Sequence, residues 1–493
     1  MRQYEMTEWS FPCPDDSDDL CAVILNGDWR RMLRGFRDGR GNMKLRFLPL
    51  KEGEYKVRFI GLVDRVETHI CEKAEPGRHG PVRAEGTHFR YDDGTWFYPF
   101  GTTVYALVHQ EERLIEQTMA TLRENCFNKI RLCVFPKSFP FNENEPPFFP
   151  FERTEDGGWD MEKPVPAYWD ELEKRIAELD AMGIECDLIL LHPYDRWGFA
   201  RLSAAQVEKY LDYAARRLSA FPNLWWSLAN EYDLLPYTDE EWARFAQILS
   251  AADPVGHLLS NHHMILPWDF SNPDTTHICL QIKNVDDVSR FGSRYHKPLM
   301  VDECRYEGNI DWEWGNISAF ELVDRFWKVV CQGGYASHGE TYLDEKDVLW
   351  WAKGGVLKGK SPRRIAFLKG IVDSLPGPLC YADRDWTWEE IRENMPDFLR
   401  FYPRELGWEQ LYPMILDSKR FLAHCGEDAY LRYYSRHTVA WGELELPEDG
   451  LYRVERLDAW EMTRTVMDNA AHGHIRVPLP GKEGMALLAV KLK

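Results

Sequence analysis

The chain has 493 residues, of which 60 are Lys or Arg and 80 Asp or Glu, a formal net charge of −20, with 44% hydrophobic and 28% charged residues. Such a chain is soluble and globular but too long for one ordinary core, so two or three domains are expected. The acidic balance argues against a nucleic-acid partner, which needs a basic surface, and no apolar run approaches the length of a membrane span.

Aromatic residues reach 14%, with 20 Trp. This suits stacking on the apolar faces of sugars as well as an aromatic core. The N-terminus, Met-Arg-Gln-Tyr-Glu-Met, lacks the apolar stretch of a secretory signal. The 11 cysteines form no Cys-x-x-Cys pair, and Cys133, Cys186 and Cys279 sit in apolar strand-like runs. Reduced thiols and a cytoplasmic location are the expectation.

Residues 1–88 read as a small β-sandwich. Segments such as Met43–Leu48 and Tyr55–Ile60 alternate in polarity between Gly and Asp turns. Gly39-Arg-Gly41 is a turn with no helix after it, hence no phosphate loop. Ala74–Pro81 reads as the linker that leaves this domain.

From 89 to 385 strand and helix alternate. The strands expected are Phe97–Thr103, Lys129–Phe135, Glu185–His192, Leu224–Glu231, His257–His263, His277–Lys283, Pro298–Glu303 and Gly333–Glu340. Helices are expected around Trp169–Leu179, Val207–Leu218 and Phe320–Val330. Eight strands with interposed helices define a TIM (β/α)8 barrel. The segment 136–166 is a long loop without a strand of its own; its aromatics, Phe139, Phe141, Phe148, Phe149, Phe151 and Trp159, favour a wall of a pocket. A connector at 386–417 leads to a C-terminal β-sandwich at 418–493.

Two strands end on carboxylates, Leu224–Ala229 running into Asn230-Glu231 and Pro298–Val301 into Asp302-Glu303. Closing a buried strand with an ionisable group is costly unless the group is paired or used. Counting back in twos from Glu231 gives Ala229 and Ser227, from Glu303 Val301 and Leu299, and from His192 Leu190 and Leu188. By this alternation both acids point into the barrel at its catalytic end. Two such carboxyls suit glycosidic cleavage, one protonating the leaving oxygen and one attacking the anomeric carbon. No Gly-x-Ser-x-Gly elbow or His-Glu-x-x-His supports another hydrolase, and no metal or other cofactor is called for.

The Asn-Glu pair closing strand 4, with a Glu closing strand 7, resembles clan A of the retaining glycoside hydrolases over residues 90–345. The resemblance implies that Glu231 is the acid/base, Glu303 the nucleophile, Asn230 the contact to the sugar 2-hydroxyl, and Arg131 of strand 2 a partner of the nucleophile. His192, His262, Gln281, His338 and Glu340, at or near the ends of strands 3, 5, 6 and 8, are the further substrate-binding candidates. Gln281 departs from the Tyr, His or Trp of several clan families. No Trp ends strand 8, although Trp350 and Trp351 follow shortly. A second pattern, Gly35-Phe-Arg-Asp-Gly39…Lys44–Pro49…Gly53-Glu-Tyr with Gly94–Tyr105, is similar to bacterial glycosidases that have an uncharacterised N-terminal β domain, a barrel and a C-terminal β domain.

The function expected is a β-glycosidase that retains configuration and acts exo on oligosaccharides or small glycosides, with a carbohydrate as its partner and a homo-oligomer compatible with the sequence. A carbohydrate-binding protein with a degenerate barrel and a transglycosylase are the alternatives.

Overall fold

The computed structural model describes residues 1–13, 19–346, 348–382 and 421–492, so the expected connector lies outside the described residues. The chain divides into two compact units. One comprises Met1–Lys283, Phe291–Ala319 and Ala336–Pro362, and the other Asn284–Arg290, Phe320–Tyr335 and Arg363–Lys493.

In the first unit, the N-terminal strands form a three-stranded and a four-stranded antiparallel sheet. Their inner faces supply one core, with Trp9, Phe11 and Leu45 from one sheet and Ala22, Ile24, Val57 and Phe59 from the other. Alternation of polarity along each strand selects these faces. The sandwich is tied to the barrel's helical layer by Arg46, whose guanidinium bonds both Glu173 oxygens at 2.8 Å and the Arg217 carbonyl at 2.7 Å.

The barrel strands are β1 (Phe100–Thr103), β2 (Lys129–Cys133), β3 (Glu185–Leu191), β4 (Leu224–Ala229), β5 (Leu258–Ser260), β6 (Ile278–Gln281), β7 (Leu299–Glu303) and β8 (Tyr335–His338). They form one sheet in the order β5-β4-β3-β2-β1-β8-β7-β6. The ring is drawn together between β5 and β6 by the Thr276 N–H, which donates to the Leu259 carbonyl at 2.8 Å, and by Ser260 Oγ, which donates to the His277 carbonyl at 2.7 Å. The TIM barrel expected from the strand–helix rhythm is the fold of this chain.

The helices begin where the sequence supplies caps. Pro166 opens α1 (Pro166–Ala181), and capping boxes Ser203/Gln206 and Thr238/Glu241 open α2 (Ala204–Leu218) and α3 (Asp239–Ala252). The apolar face of α1, with Trp169, Leu172, Ile176 and Leu179, is buried as its spacing predicts.

Three features differ from the sequence expectation. Pro99 separates Trp96–Phe97 from β1, because it offers no N–H to a ladder. Trp96–Phe97 instead joins Val82–Glu85 and His88–Tyr91 in a small antiparallel sheet. Phe89 and Phe97 of this sheet meet Trp225 of β4, with ring centroids 4.8 and 6.1 Å away. Second, the loop 136–166 holds a hairpin, Phe151–Arg153 with Trp159–Pro164, turned at Asp156-Gly157.

The third difference concerns register. Lys129 of β2 bonds Asp187 of β3 at 2.5 Å and Asp302 of β7 at 2.8 Å, and Ser337 of β8 bonds Asp302 at 2.9 Å. These side chains converge in the barrel interior. On β3 the inward set is therefore Glu185, Asp187 and Ile189, and Leu188, Leu190 and His192 belong to the other parity. On β8 Ser337 is inward and His338 is not. On β7 Asp302 is inward, and a bulge (Leu280 pairs with Val301, but Gln281 with Glu303) breaks the alternation just before Glu303. Glu303 reaches the catalytic end through that extra residue, not through parity with Val301.

In the second unit the C-terminal strands build a six-stranded and a two-stranded antiparallel sheet. Leu444 and Val477 of the smaller sheet share a core with Tyr452, Val454 and Leu487 of the larger, which makes this a β-sandwich.

Lys129 is fully buried between two carboxylates. Lys129→Met should leave Asp187 and Asp302 short of a counter-charge and destabilise the protein by about 3–5 kcal/mol, the cost of breaking a buried pair from one side. Urea unfolding followed by tryptophan fluorescence measures it.

Candidate active site

A cavity of about 770 Å³ opens at the carboxyl ends of the barrel strands, and both Glu231 and Glu303 line it. Tyr105, Lys137, Tyr194, Gln281, Tyr306 and Trp351 complete the walls around the two acids.

Glu231 follows the end of β4 in a left-handed backbone conformation, φ 56° and ψ 56°. Its N–H faces His262 Nδ1 at 3.4 Å, and its carboxylate accepts from the Tyr194 hydroxyl. Burial and, secondarily, the charge of Glu303 raise its pKa above the ordinary carboxylate range; Lys137, Tyr194 and Gln281 oppose the shift.

Glu303 is buried among donors. The Tyr105 hydroxyl bonds its Oε1, Arg131 Nη1 lies at 3.5 Å and His262 Nε2 at 3.7 Å. Arg131 meets it at ion-pair distance. Its Nε also faces Asp187 at 3.6 Å and Asp302 at 3.9 Å, so one guanidinium links the interior charge cluster to the cavity. Burial holds His262 neutral, well below the usual imidazole range, and the positive charge of Arg131 adds to the effect. Asn230 Oδ1 lies 2.9 Å from the Tyr105 hydroxyl, which joins Asn230 and Glu303 through one phenol.

The structure thus brings together Glu231, Glu303 and Gln281 on the cavity wall, with Asn230, Arg131 and His262 buried behind them. It does not bring three other candidates to the cavity. His192 turns away, its Nε2 3.1 Å from the Phe135 carbonyl, and burial depresses it to about 3. His338 stacks on Phe127 with its Nδ1 3.1 Å from Thr102 Oγ1. Glu340 accepts the backbone N–H groups of Lys358 and Gly359, both at 2.7 Å, and burial raises it to about 7. It lies beside Glu307, which accepts those of Lys360 and Ser361 at 2.8 and 3.0 Å. Glu307, His338 and Glu340 offer ligand atoms within 4.8 Å of one another, the one such buried cluster among the described residues. Four successive N–H groups already answer its carboxylates.

Four residues escaped the sequence reading: Tyr105, Lys137, Tyr194 and Tyr306. Each follows a barrel strand by two to four residues, and that position is the signal that would have found them. Lys137 is the most unusual. Its ammonium lies 3.4 Å from the ring centroid of Tyr105, 4.3 Å from that of Tyr194 and 4.9 Å from that of Phe139. Burial lowers its pKa, against the pull of Glu231 and Glu303. The long loop supplies Phe139 to the cavity wall, and Trp351 lines the cavity as well. Trp350 turns its indole N–H to Thr102 instead, at 2.8 Å.

A TIM barrel with two buried glutamates facing one cavity at the ends of β4 and β7 defines a glycoside hydrolase. The chain belongs to the apiosidase-like catalytic domain family, whose model matches residues 83–390. Residues 419–492 match a domain of unknown function, DUF5605. A putative glycoside hydrolase from Bacteroides vulgatus is 30% identical over 100% of this chain and 99% of its own, with a TM-score of 0.86. A glycoside hydrolase of family 5 from the same organism shares the fold at 15% identity, covering 85% of this chain and 94% of its own with a TM-score of 0.62. Comparison with curated proteins gives no match.

Because Lys137 favours the ionised form of Glu231, Lys137→Met should push the pKa of Glu231 up further. The alkaline limb of the pH–rate profile should then move to higher pH, since the protonated form persists longer. Initial rates from pH 5 to pH 10 test this. An unmoved limb would show that Lys137 does not act on Glu231.

Proposed function

We propose that the protein hydrolyses β-type glycosidic bonds of oligosaccharides or small glycosides by double displacement with retention. The observation that supports this most directly is the unequal setting of two carboxyls on one cavity. Glu231 is biased to keep its proton by burial and by its neighbour's charge, whereas Glu303 sits among a guanidinium, a phenol and an imidazole.

In this reading Glu303 attacks the anomeric carbon as Glu231 delivers its proton to the departing oxygen. A covalent glycosyl-enzyme forms and the aglycone leaves. Glu231, now a base, takes a proton from water, which opens the glycosyl ester. Tyr105 and Arg131 hold one Glu303 oxygen, which leaves the other for attack. Asn230, steadied by Tyr105, is set to meet the sugar 2-hydroxyl, a contact that strengthens at the transition state. Lys137 and Gln281 offer donors to further hydroxyls. The family name makes terminal apiosides the first sugars to test, alongside aryl glycosides of the common hexoses and pentoses.

Retention requires the two carboxyls to stand about 5–5.5 Å apart. Glu303→Gln should abolish turnover. Glu231→Ala should spare aryl glycosides with acidic leaving groups and stall alkyl glycosides, which need protonation. Steady-state kinetics on both kinds, with the anomer released followed by NMR, decides. Release of the inverted anomer would overturn the covalent route.

Arg131→Lys should lower kcat at least about tenfold, because an ammonium keeps the charge but cannot span Glu303 and the interior aspartates as the planar fork does. Glu231→Gln should raise the melting temperature, and more at pH 8 than at pH 5. A carboxyl whose folded pKa is raised gives its full stability below the unfolded value and loses it as pH rises through the folded one. Gln has no such loss. Differential scanning calorimetry at the two pH values measures the difference.

A further inference from the structure

The mouth of the cavity carries an apolar lip that none of the catalytic steps uses. Met264, Ile265 and Leu266 follow β5 and are 43%, 69% and 63% exposed, an unusual cost for three consecutive large apolar side chains. Met264 and Ile265 line the cavity that holds Glu231, as do Ile282, Ile310 and the half-exposed Trp312.

The lip is fixed in place. Asp233 accepts the backbone N–H groups of Met264 at 2.8 Å, Ile265 at 2.8 Å and Leu266 at 2.9 Å. Burial works against its ionisation, but these three donors hold its carboxyl below the ordinary range. The Tyr232 N–H donates to the His262 carbonyl at 2.9 Å, and the Glu231 N–H faces His262 Nδ1 at 3.4 Å. Three consecutive residues, Glu231 to Asp233, are thus each tied to the segment His262–Leu266. Hydrogen bonds therefore hold Glu231 and the apolar lip to one another.

The group that Glu231 protonates is the leaving oxygen, so whatever stands beside Glu231 at the mouth meets the aglycone. We propose that Met264, Ile265 and Trp312 form an aglycone subsite for an apolar group, an alkyl chain or an aromatic ring, in place of a second sugar. Sugar recognition at that position needs hydroxyl partners. Met264 and Ile265 supply none from their side chains, and the backbone donors of the lip are already taken by Asp233. This assignment rests on the glycosidase reading, because it identifies the leaving-group side from the role of Glu231.

The test uses the whole protein and two readouts. In the first, methyl, hexyl and octyl glycosides of one sugar are compared, since their leaving groups are almost equally basic. We expect kcat/KM for the octyl glycoside to exceed that for the methyl glycoside at least about tenfold, because each buried methylene strengthens binding. In the double variant Met264→Ser/Ile265→Asp this ratio should fall close to one. A flat series in the wild type, or a disaccharide preferred over the octyl glycoside, overturns the proposal. The second readout needs no turnover: 4-methylumbelliferone, a free aromatic aglycone, is titrated against the protein by tryptophan fluorescence and calorimetry. Saturable binding that the double variant weakens at least about tenfold supports the subsite. Absence of binding to the wild type, or equal binding by the variant, overturns it. Binding without cleavage of any glycoside would sink the glycosidase reading and leave an apolar-ligand site standing.

Discussion

Everything at the catalytic end of the barrel stands on a charge cluster sealed inside it. Lys129 and Arg131 on β2, Asp187 on β3 and Asp302 on β7 are all buried, and their separations run from 2.5 to 3.9 Å. Two cations face two aspartates there, and Glu303 is added one step higher through Arg131. Groups so buried persist only when paired and hydrogen-bonded. Cys279 Sγ at 3.0 Å and Ser337 Oγ at 2.9 Å complete the shell of Asp302. The cluster couples three strands and fixes the height at which each ends. The proposed nucleophile is presented by the charge balance beneath it as much as by its own strand.

The two acids are anchored by different means, and the difference suits different tasks. Glu303 is set by side chains that bond its carboxylate. Glu231 is set by backbone ties to the next loop, and its carboxylate meets chiefly a phenol and an amide. A group that must lose a proton and take one back in each cycle gains from a setting in which neither form is pinned by an ion pair. A group that must stay an anion gains from the opposite.

Much of this was legible in the chain. All eight barrel strands were visible, because parallel strands buried on both faces read as unbroken apolar runs bounded by turns. Glu231 and Glu303 could be placed on the cavity side because strand ends carry function in this fold, with Arg131 and Asn230 close behind them. The orientation of His192 and His338 was not legible. Alternation says only that neighbours on a strand point oppositely, and choosing which set faces inward required knowing that Lys129 pairs with Asp187 and Asp302. The bulge before Glu303 was equally hidden, since it depends on the partner strand. Lys137 and the three tyrosines lie just past strand ends, in segments whose course tertiary contacts decide. The hairpin at 151–164 could have been read from Asp156-Gly157-Gly158, a turn between two short runs of aromatic and charged residues.

The left-handed backbone at Glu231 bears on how this family of sites can drift. A φ of 56° is comfortable for Gly and tolerable for Asn, whose short polar side chain can bond the local backbone, whereas the longer Glu adopts it at a cost. A lineage released from catalysis would find Gly or Asn at this position favourable for the backbone and would at the same time shed a buried carboxyl. Replacement of Glu231 by Gly or Asn is therefore downhill for folding, and the cavity carries its carboxyl there against the preference of the main chain.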